Sequence, residues 1–405
     1  MLDDGRFASA RELAEAEQVG HSYVGQSLFV LGWVPGAGIL LQLWKWIVRR
    51  VQTSGAAAAG RTPMFAFMDT LRRAQGEALG RLGCGPAECG YHVLASGPNW
   101  LLRDYAGPDA RPSLLIIATP IKRPYLWDLA PRVSAVRYCM RHHLRVYLLE
   151  WMSPSAGDGN AGLTEYADRA IGEAVARISQ EPGGSQPFLM GHSLGGTFAA
   201  IFGALDPQSV RGLVLLGAPL CFQPGTSRFR DAIVAIAPSS VTETSVVPGS
   251  FLSQLSALAD PETFVLSRLF DATFNSADPL AWDIHVRVER WALDEVPLSG
   301  KLVHEILQLL YRENRFCRGT LPVRERTVGP SDLRLQMLAV VNPGDEIAPP
   351  ASVIPFIDAM PGQDVRVLEY PGEIGVGLQH LGILVGRRAY THVWPEIISW
   401  LRARC

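Results

Sequence analysis

The sequence predicts an α/β fold: a mostly parallel sheet flanked by helices, with one inserted subdomain. Three observations lead there. From about residue 91, short apolar runs alternate with helix-like stretches. The alternation breaks between about residues 221 and 326, where long helical patterns and many Ser, Thr and Pro residues intervene, and then resumes. One apolar run, 187–190, ends in Gly191-His192-Ser193-Leu194-Gly195-Gly196 and leads directly into a helix-like stretch. Strands that alternate with helices bury both sheet faces, which is the pattern of a parallel sheet.

The runs taken as strands are 114–118, 145–151, 187–190, 213–216, 335–341 and 365–370, and the helix-like stretches are 126–143, 166–179, 196–205 and 391–404. Residues 91–220 and 327–405 then make the core, and 221–326 a lid or cap. In open α/β sheets the ligand crevice lies at the carboxyl ends of the strands, so an insertion there covers a site. Residues 1–90 read as an N-terminal helical segment, in which 53–61 (TSGAAAAGR) resembles a linker or a frayed helix end. Within it, 23–44 carries no formal charge and is followed by Lys45, Arg49 and Arg50, but Gly25, Gly32, Pro35, Gly36 and Gly38 interrupt it. Three readings stay open: packing onto the core, association of 23–50 with a membrane or granule surface, or a true span. The acidic, polar residues 1–18 do not resemble a secretory signal.

Bulk properties narrow the function. The chain has 405 residues, 48% hydrophobic and 19% charged, with a net charge of −2. The charged share is below the ~25% of average soluble proteins, so a sizeable core is expected. The balance of charge provides no field for a phosphate backbone, which argues against nucleic acid. Six cysteines are scattered without a Cys-x-x-Cys pair, and reduced thiols in a cytoplasmic protein are expected. No spaced His/carboxylate cluster suggests a metal, and no cofactor is expected.

The turn at 191–196 carries the chemistry. A Gly-x-Ser-x-Gly turn between strand and helix holds its Ser in a strained conformation that lifts the hydroxyl out of the sheet. The helix behind it aims backbone N–H groups at the reacting centre, so the Leu194 N–H is one expected oxyanion donor. Ser193 is the expected nucleophile, and His192 is read as packing. Asp345 follows the strand 335–341 in a Pro/Gly-rich loop, with Glu346 as its adjacent competitor. His380 lies in the glycine-rich loop after 365–370, and His392 is the rival, read as a surface or packing residue. The order Ser, acid, His is that of the α/β-hydrolase fold. Neutral His380 would take the Ser193 proton while Asp345 fixes its tautomer. The second oxyanion donor is expected in the loop 119–125, at the Ile121 N–H, because Pro120 has none.

Several blocks resemble the polyhydroxyalkanoate synthase family, its two-component class most. Ile121-Lys122-Arg123-Pro124-Tyr125-Leu126-Trp127-Asp128-Leu129 is similar to the family's I-N-R-P-Y-I-L-D-L, and 146–151 (VYLLEW) to its V-Y-L-I-D-W. Glu289-Arg290-Trp291 with Asp294, then Leu310-Tyr311 with Asn314, resemble E-R-W…D and L-Y-x-x-N. Residues 345–350 resemble D-x-I-V-P-P, and His380-Leu381-Gly382 resembles H-V-G. The resemblance runs over about 91–400. It implies loading of a 3-hydroxyacyl group from coenzyme A onto the nucleophile and growth of a polyester, with Asp345 also helping to activate the incoming hydroxyl. It also implies a second subunit; the apolar insertion is compatible with a homodimer through the lid.

The departure is the nucleophile, which is Cys in that family and Ser193 here. An alkoxide is a poorer leaving group than a thiolate, so the acyl-enzyme lasts longer and water competes better. Three readings follow: a Ser acyltransferase on hydroxyacyl thioesters or esters; a hydrolase on the same scaffold (esterase, thioesterase or intracellular polyester depolymerase); or a weakly catalytic binding protein on granules or membranes.

Overall fold

The computed structural model describes residues 58–105, 111–154, 160–238, 246–362, 364–376 and 378–404. The segment 23–50, for which three readings stay open, lies outside them. Among the described residues no helix is long and apolar enough to cross a membrane.

Eight strands form one sheet: β1 His92–Gly97, β2 Trp100–Asp104, β3 Ser113–Ile117, β4 Arg145–Trp151, β5 Phe188–His192, β6 Gly212–Leu216, β7 Met337–Val341 and β8 Val365–Glu369. Their order across the sheet is β1-β2-β4-β3-β5-β6-β7-β8. The pairs β1/β2 and β2/β4 are antiparallel, and all the others are parallel. Every residue of β3 to β7 is buried. That burial explains why these strands read as continuous apolar runs instead of alternating ones. Successive side chains still go to opposite faces. In β3, Leu115 and Ile117 join one core layer with Trp151, Tyr166 and Phe198, while Leu114 and Ile116 join the other with Val146, Phe188 and Trp400.

Helix α1 Ala58–Leu79 precedes the sheet, and the helices between its strands are α2 Ala135–Arg141, α3 Ile171–Ser179 and α4 Leu194–Leu205. The helix expected over 126–143 is therefore much shorter. Pro124–Trp127 forms a single tight turn, and Asp128–Ala130 pairs with Val133–Ser134 before the helix starts. Pro131 separates those two strands, and Ser134 caps α2 by accepting from the Arg137 N–H at 2.9 Å. Strands β1 and β2, which the sequence reading did not isolate, extend the sheet at its antiparallel edge.

Between β6 and β7 the chain leaves the sheet and forms α5 Arg228–Ile236, α6 Gly249–Ala259, α7 Ser267–Asn275 and α8 Pro279–Ala292, followed by a helical stretch made of Gly300–Glu305 and Ile306–Arg312. The base of this insertion is tied together. Cys221 and Cys317 form a disulfide with Cα atoms 5.0 Å apart, 96 residues apart in sequence. The expectation of reduced thiols thus fails for these two. Linear spacing cannot reveal that the insertion's two ends return to one point. Beside the disulfide, the Phe222 N–H donates to Asn314 Oδ1 at 2.7 Å. After β8 come α9 Gln379–Val385 and α10 Trp394–Arg402.

Candidate active site

Ser193 sits between the end of β5 and the start of α4, with φ 55° and ψ −135°. Such a conformation costs a non-glycine residue about 1–3 kcal/mol and persists only where surroundings enforce it. Here the Ser193 N–H donates to Leu216 O at 3.2 Å, and the Thr197 N–H to Ser193 O at 3.1 Å. The flanking glycines are a steric necessity. A Cβ on Gly191 would meet the Gly195–Gly196 backbone, one on Gly196 would lie 2.5 Å from Ala218 Cβ, and one on Gly195 would strike Ile117 O. The last contact also shows that the chain leaving β3 passes directly against the elbow.

Asp345 and His380 meet at the same edge. Asp345 follows β7 and is only 2% exposed. Its Oδ1 accepts the N–H groups of Ile347 and Ala348, both at 2.9 Å, and its Oδ2 lies 2.7 Å from His380 Nδ1. Burial would raise the Asp345 carboxyl, but the His380 ring and the two backbone donors outweigh it and hold the group below the usual carboxylate range. An ionised carboxylate only accepts, so Nδ1 donates its N–H to Asp345. His380 Nε2 is buried and bonds to no described residue. Glu346 makes no hydrogen bond to His380; its backbone carbonyl accepts from Ser227 Oγ at 2.6 Å.

His380 differs in setting from the expected loop: it lies in the first turn of α9. The loop before it is gathered by Gln379, whose Nε2 donates to Glu373 O at 2.8 Å and whose Oε1 accepts the Glu373 N–H at 3.0 Å. Asn342, fully buried after β7, donates to Gln379 O at 3.2 Å and so joins the acid loop to the histidine loop. Gly217, just past β6 with φ 50°, lies under the pair; a Cβ there would be 3.2 Å from Asp345 Oδ2 and 3.5 Å from His380 Nδ1. Leu216, the neighbour of Gly217, accepts the Ser193 N–H, so the elbow backbone and the Asp345–His380 pair adjoin the same end of β6.

His192 does more than pack. It is buried, its ring centroid is 4.4 Å from that of His380, and its Nε2 lies 2.8 Å from His380 O. Burial, aided by the His380 ring, pushes the His192 imidazole down to about 3, so it is neutral and donates Nε2–H to that carbonyl. Nothing in the sequence signals this bond, because it joins residues 188 positions apart. His392 is exposed and remote in role, bonded to Thr391 and Arg388 O.

Two backbone donors remain. Leu194 opens α4, and Ile121 lies in the loop leaving β3. Among the described residues nothing accepts from either N–H. Among the described residues no group of three or more His, Cys, Asp or Glu side chains is placed to hold a metal ion.

A sheet parallel in all but β2, a strained Ser elbow and an Asp–His pair at its carboxyl edge define an enzyme of the α/β-hydrolase fold. Residues 130–246 match the family model described as alpha/beta hydrolase fold. Among solved structures, the monoacylglycerol lipase of Paleococcus ferrophilus aligns over 76% of this chain and 99% of that one, with 17% identity and a TM-score of 0.47. Among curated proteins, the poly(3-hydroxyalkanoate) polymerase subunit PhaC of Haloferax mediterranei is 31% identical over 72% of this chain and 58% of its own. The subunit of the same name from Haloarcula marismortui is 26% identical over 72% of this chain and 61% of its own. The chain is a homologue of these polyhydroxyalkanoate polymerase subunits, and it spans about three fifths of the length of the two.

Proposed function

We propose that this enzyme transfers hydroxyacyl groups through an acyl-Ser193 intermediate, taking them from coenzyme A thioesters or from esters. The observation that carries the reading is the Asp345–His380 pair at 2.7 Å on the edge where Ser193 holds its strained elbow. His380 Nε2 removes the Ser193 proton as the oxygen attacks the acyl carbonyl. Asp345 holds the ring and stabilises the imidazolium. The Leu194 and Ile121 N–H groups receive the developing oxyanion. His380 then returns the proton to the leaving thiol or alcohol. The insertion 221–326 acts as the cap over this edge. The reading keeps the enzyme cytoplasmic, with 23–50 as the segment that meets a membrane or polyester granule, and leaves room for a homodimer or a second subunit.

A specific observation favours hydrolysis as the second reading. Ser193 makes an oxygen ester, which outlives a thioester and exposes the intermediate to water for longer. Purified protein incubated with 3-hydroxybutyryl-coenzyme A separates the two: polymer or oligomer supports transfer to a growing chain, and free acid supports hydrolysis. Fluorophosphonate labelling lost in Ser193→Ala supports both, whereas absence of labelling and of turnover on thioesters and esters alike overturns both in favour of a weakly catalytic granule- or membrane-binding protein.

A further inference from the structure

Residues 121–125, the start of the motif block 121–129, and the block 289–294 lie far apart in sequence yet form one seam in the structure, and the mechanism above does not use it. The loop leaving β3 runs antiparallel to the chain that follows α8. The Val296 N–H donates to Ile121 O at 3.0 Å, and the Arg123 N–H to Asp294 O at 3.3 Å. Between these rungs Lys122 and Glu295 face each other as a bridge pair. Trp291 Nε1–H donates to Arg123 O at 2.8 Å, and Tyr125 O–H to Asp294 Oδ2 at 2.7 Å.

The centre of the seam is a buried charge cluster. The Glu295 side chain is 2% exposed, and its carboxylate accepts from Lys122 Nζ at 3.1 Å, from Ser253 Oγ at 2.7 Å and from Arg72 Nε at 2.9 Å. Lys122 Nζ also donates to Ser253 Oγ at 3.3 Å and to Ala292 O. Glu295 therefore ties the β3 loop to α6 and α1 at once. Burial opposes the charged carboxylate, but Lys122, Arg72 and Ser253 prevail and hold Glu295 below the usual range.

The β3 loop needs such outside support. Pro120 supplies no N–H, and the carbonyls of Ile121 and Arg123 are satisfied by the insertion and not by the sheet. A loop that must present one N–H to an oxyanion works only if its peptide planes are fixed beforehand.

We propose that Glu295 is a positioning residue: with Lys122 it clamps the β3 loop against the insertion and so fixes the Ile121 N–H for the transition state. The inference rests on the acyl-serine reading.

The test is the double variant Lys122→Met/Glu295→Gln, which removes both charges together, assayed with 4-nitrophenyl butyrate and normalised to sites labelled by a fluorophosphonate. Losing one oxyanion donor outright costs about 10²–10³ in kcat, so a misaligned donor is expected to lower kcat per labelled site about 10–100-fold, with KM within about twofold. The Ki of an alkyl boronic acid, which places an oxygen in the same position, is expected to rise in parallel. Should the double variant not fold, Trp291→Phe, which deletes the bond to Arg123 O and trims the ring that lies 5.8 Å from Lys122 Nζ, is expected to lower kcat per site about three- to tenfold with the same parallel rise. Unchanged kcat per labelled site in the folded variants, or a fall in kcat with boronate binding unmoved, overturns the clamp. Failure of the wild-type protein to label at Ser193 instead overturns the acyl-serine reading directly, and is seen before any variant is made.

Discussion

Asp345→Asn tests the triad most sharply, because the geometry dictates how the amide must sit. In the native carboxylate, Oδ1 is committed to two N–H donors, those of Ile347 and Ala348, both at 2.9 Å. An amide nitrogen placed there would oppose two donors, so the Asn oxygen takes that position and its NH2 turns to His380 Nδ1. Nδ1 must then accept, which moves the ring proton to Nε2, the atom that has to receive the Ser193 proton. The substitution therefore selects the wrong tautomer while leaving the shape of the loop intact. Loss of the tautomer in a Ser-His-Asp site costs about 10³–10⁴ in kcat, or roughly 4–5 kcal/mol of transition-state stabilisation. Folding loses much less, about 1–2 kcal/mol, since both backbone bonds survive and only a charge-assisted bond becomes neutral. Thioester cleavage per folded molecule, with urea unfolding as the check on stability, measures both quantities. Activity within tenfold of the native enzyme in a folded variant would refute the assignment of Asp345, and so would a loss explained wholly by unfolding.

Three further outcomes are expected. Gly195→Ala drives a methyl group into Ile117 O and within 2.9 Å of the Ala118 backbone, neither of which can rotate away; a destabilisation of about 2–3 kcal/mol, read from the urea midpoint, should accompany loss of turnover. Cys221→Ser/Cys317→Ser opens a 96-residue loop, for which chain entropy gives roughly 4–5 kcal/mol, and thiol titration of the unreduced native protein should find these two cysteines unreactive. His192 is held at about 3, below its ordinary 6.5, so the unfolded chain binds its proton first and stability falls as pH drops from 6.5 towards 3. At pH 4.5 that loss amounts to about 3 kcal/mol, and His192→Gln should flatten this part of the stability profile; an unaltered slope would show that His192 binds its proton alike in the folded and unfolded states.

What was legible in the sequence was local. The fully buried strands β3 to β7 announced themselves as apolar runs, and the elbow as a glycine pattern whose cause is contact within a few residues of Ser193. Asp345 and His380, which the structure joins at 2.7 Å, could be singled out because each lies past a recognisable strand. Features made by distant segments were not legible. Gln379 and Asn342 stand beside the histidine and acid loops, yet nothing in their spacing says that they bond those loops together. The short ribbon before α2 was read as helix because 126–143 is apolar enough for either, and Pro131 alone did not decide it. The seam shows the same limit from the other side. Blocks 121–129 and 289–294 were each conspicuous as motifs, but a motif states only that its residues matter, not what they face. Nothing in the spacing around Lys122 announces its partner Glu295, 173 positions away. A charge cluster buried at such a seam gives poor stability for its desolvation cost, whereas an apolar patch of the same volume would hold the surfaces together as well. What the charges add is direction: two fixed hydrogen-bonding partners set the register of the β3 loop to within a single peptide, which is the tolerance an oxyanion donor demands.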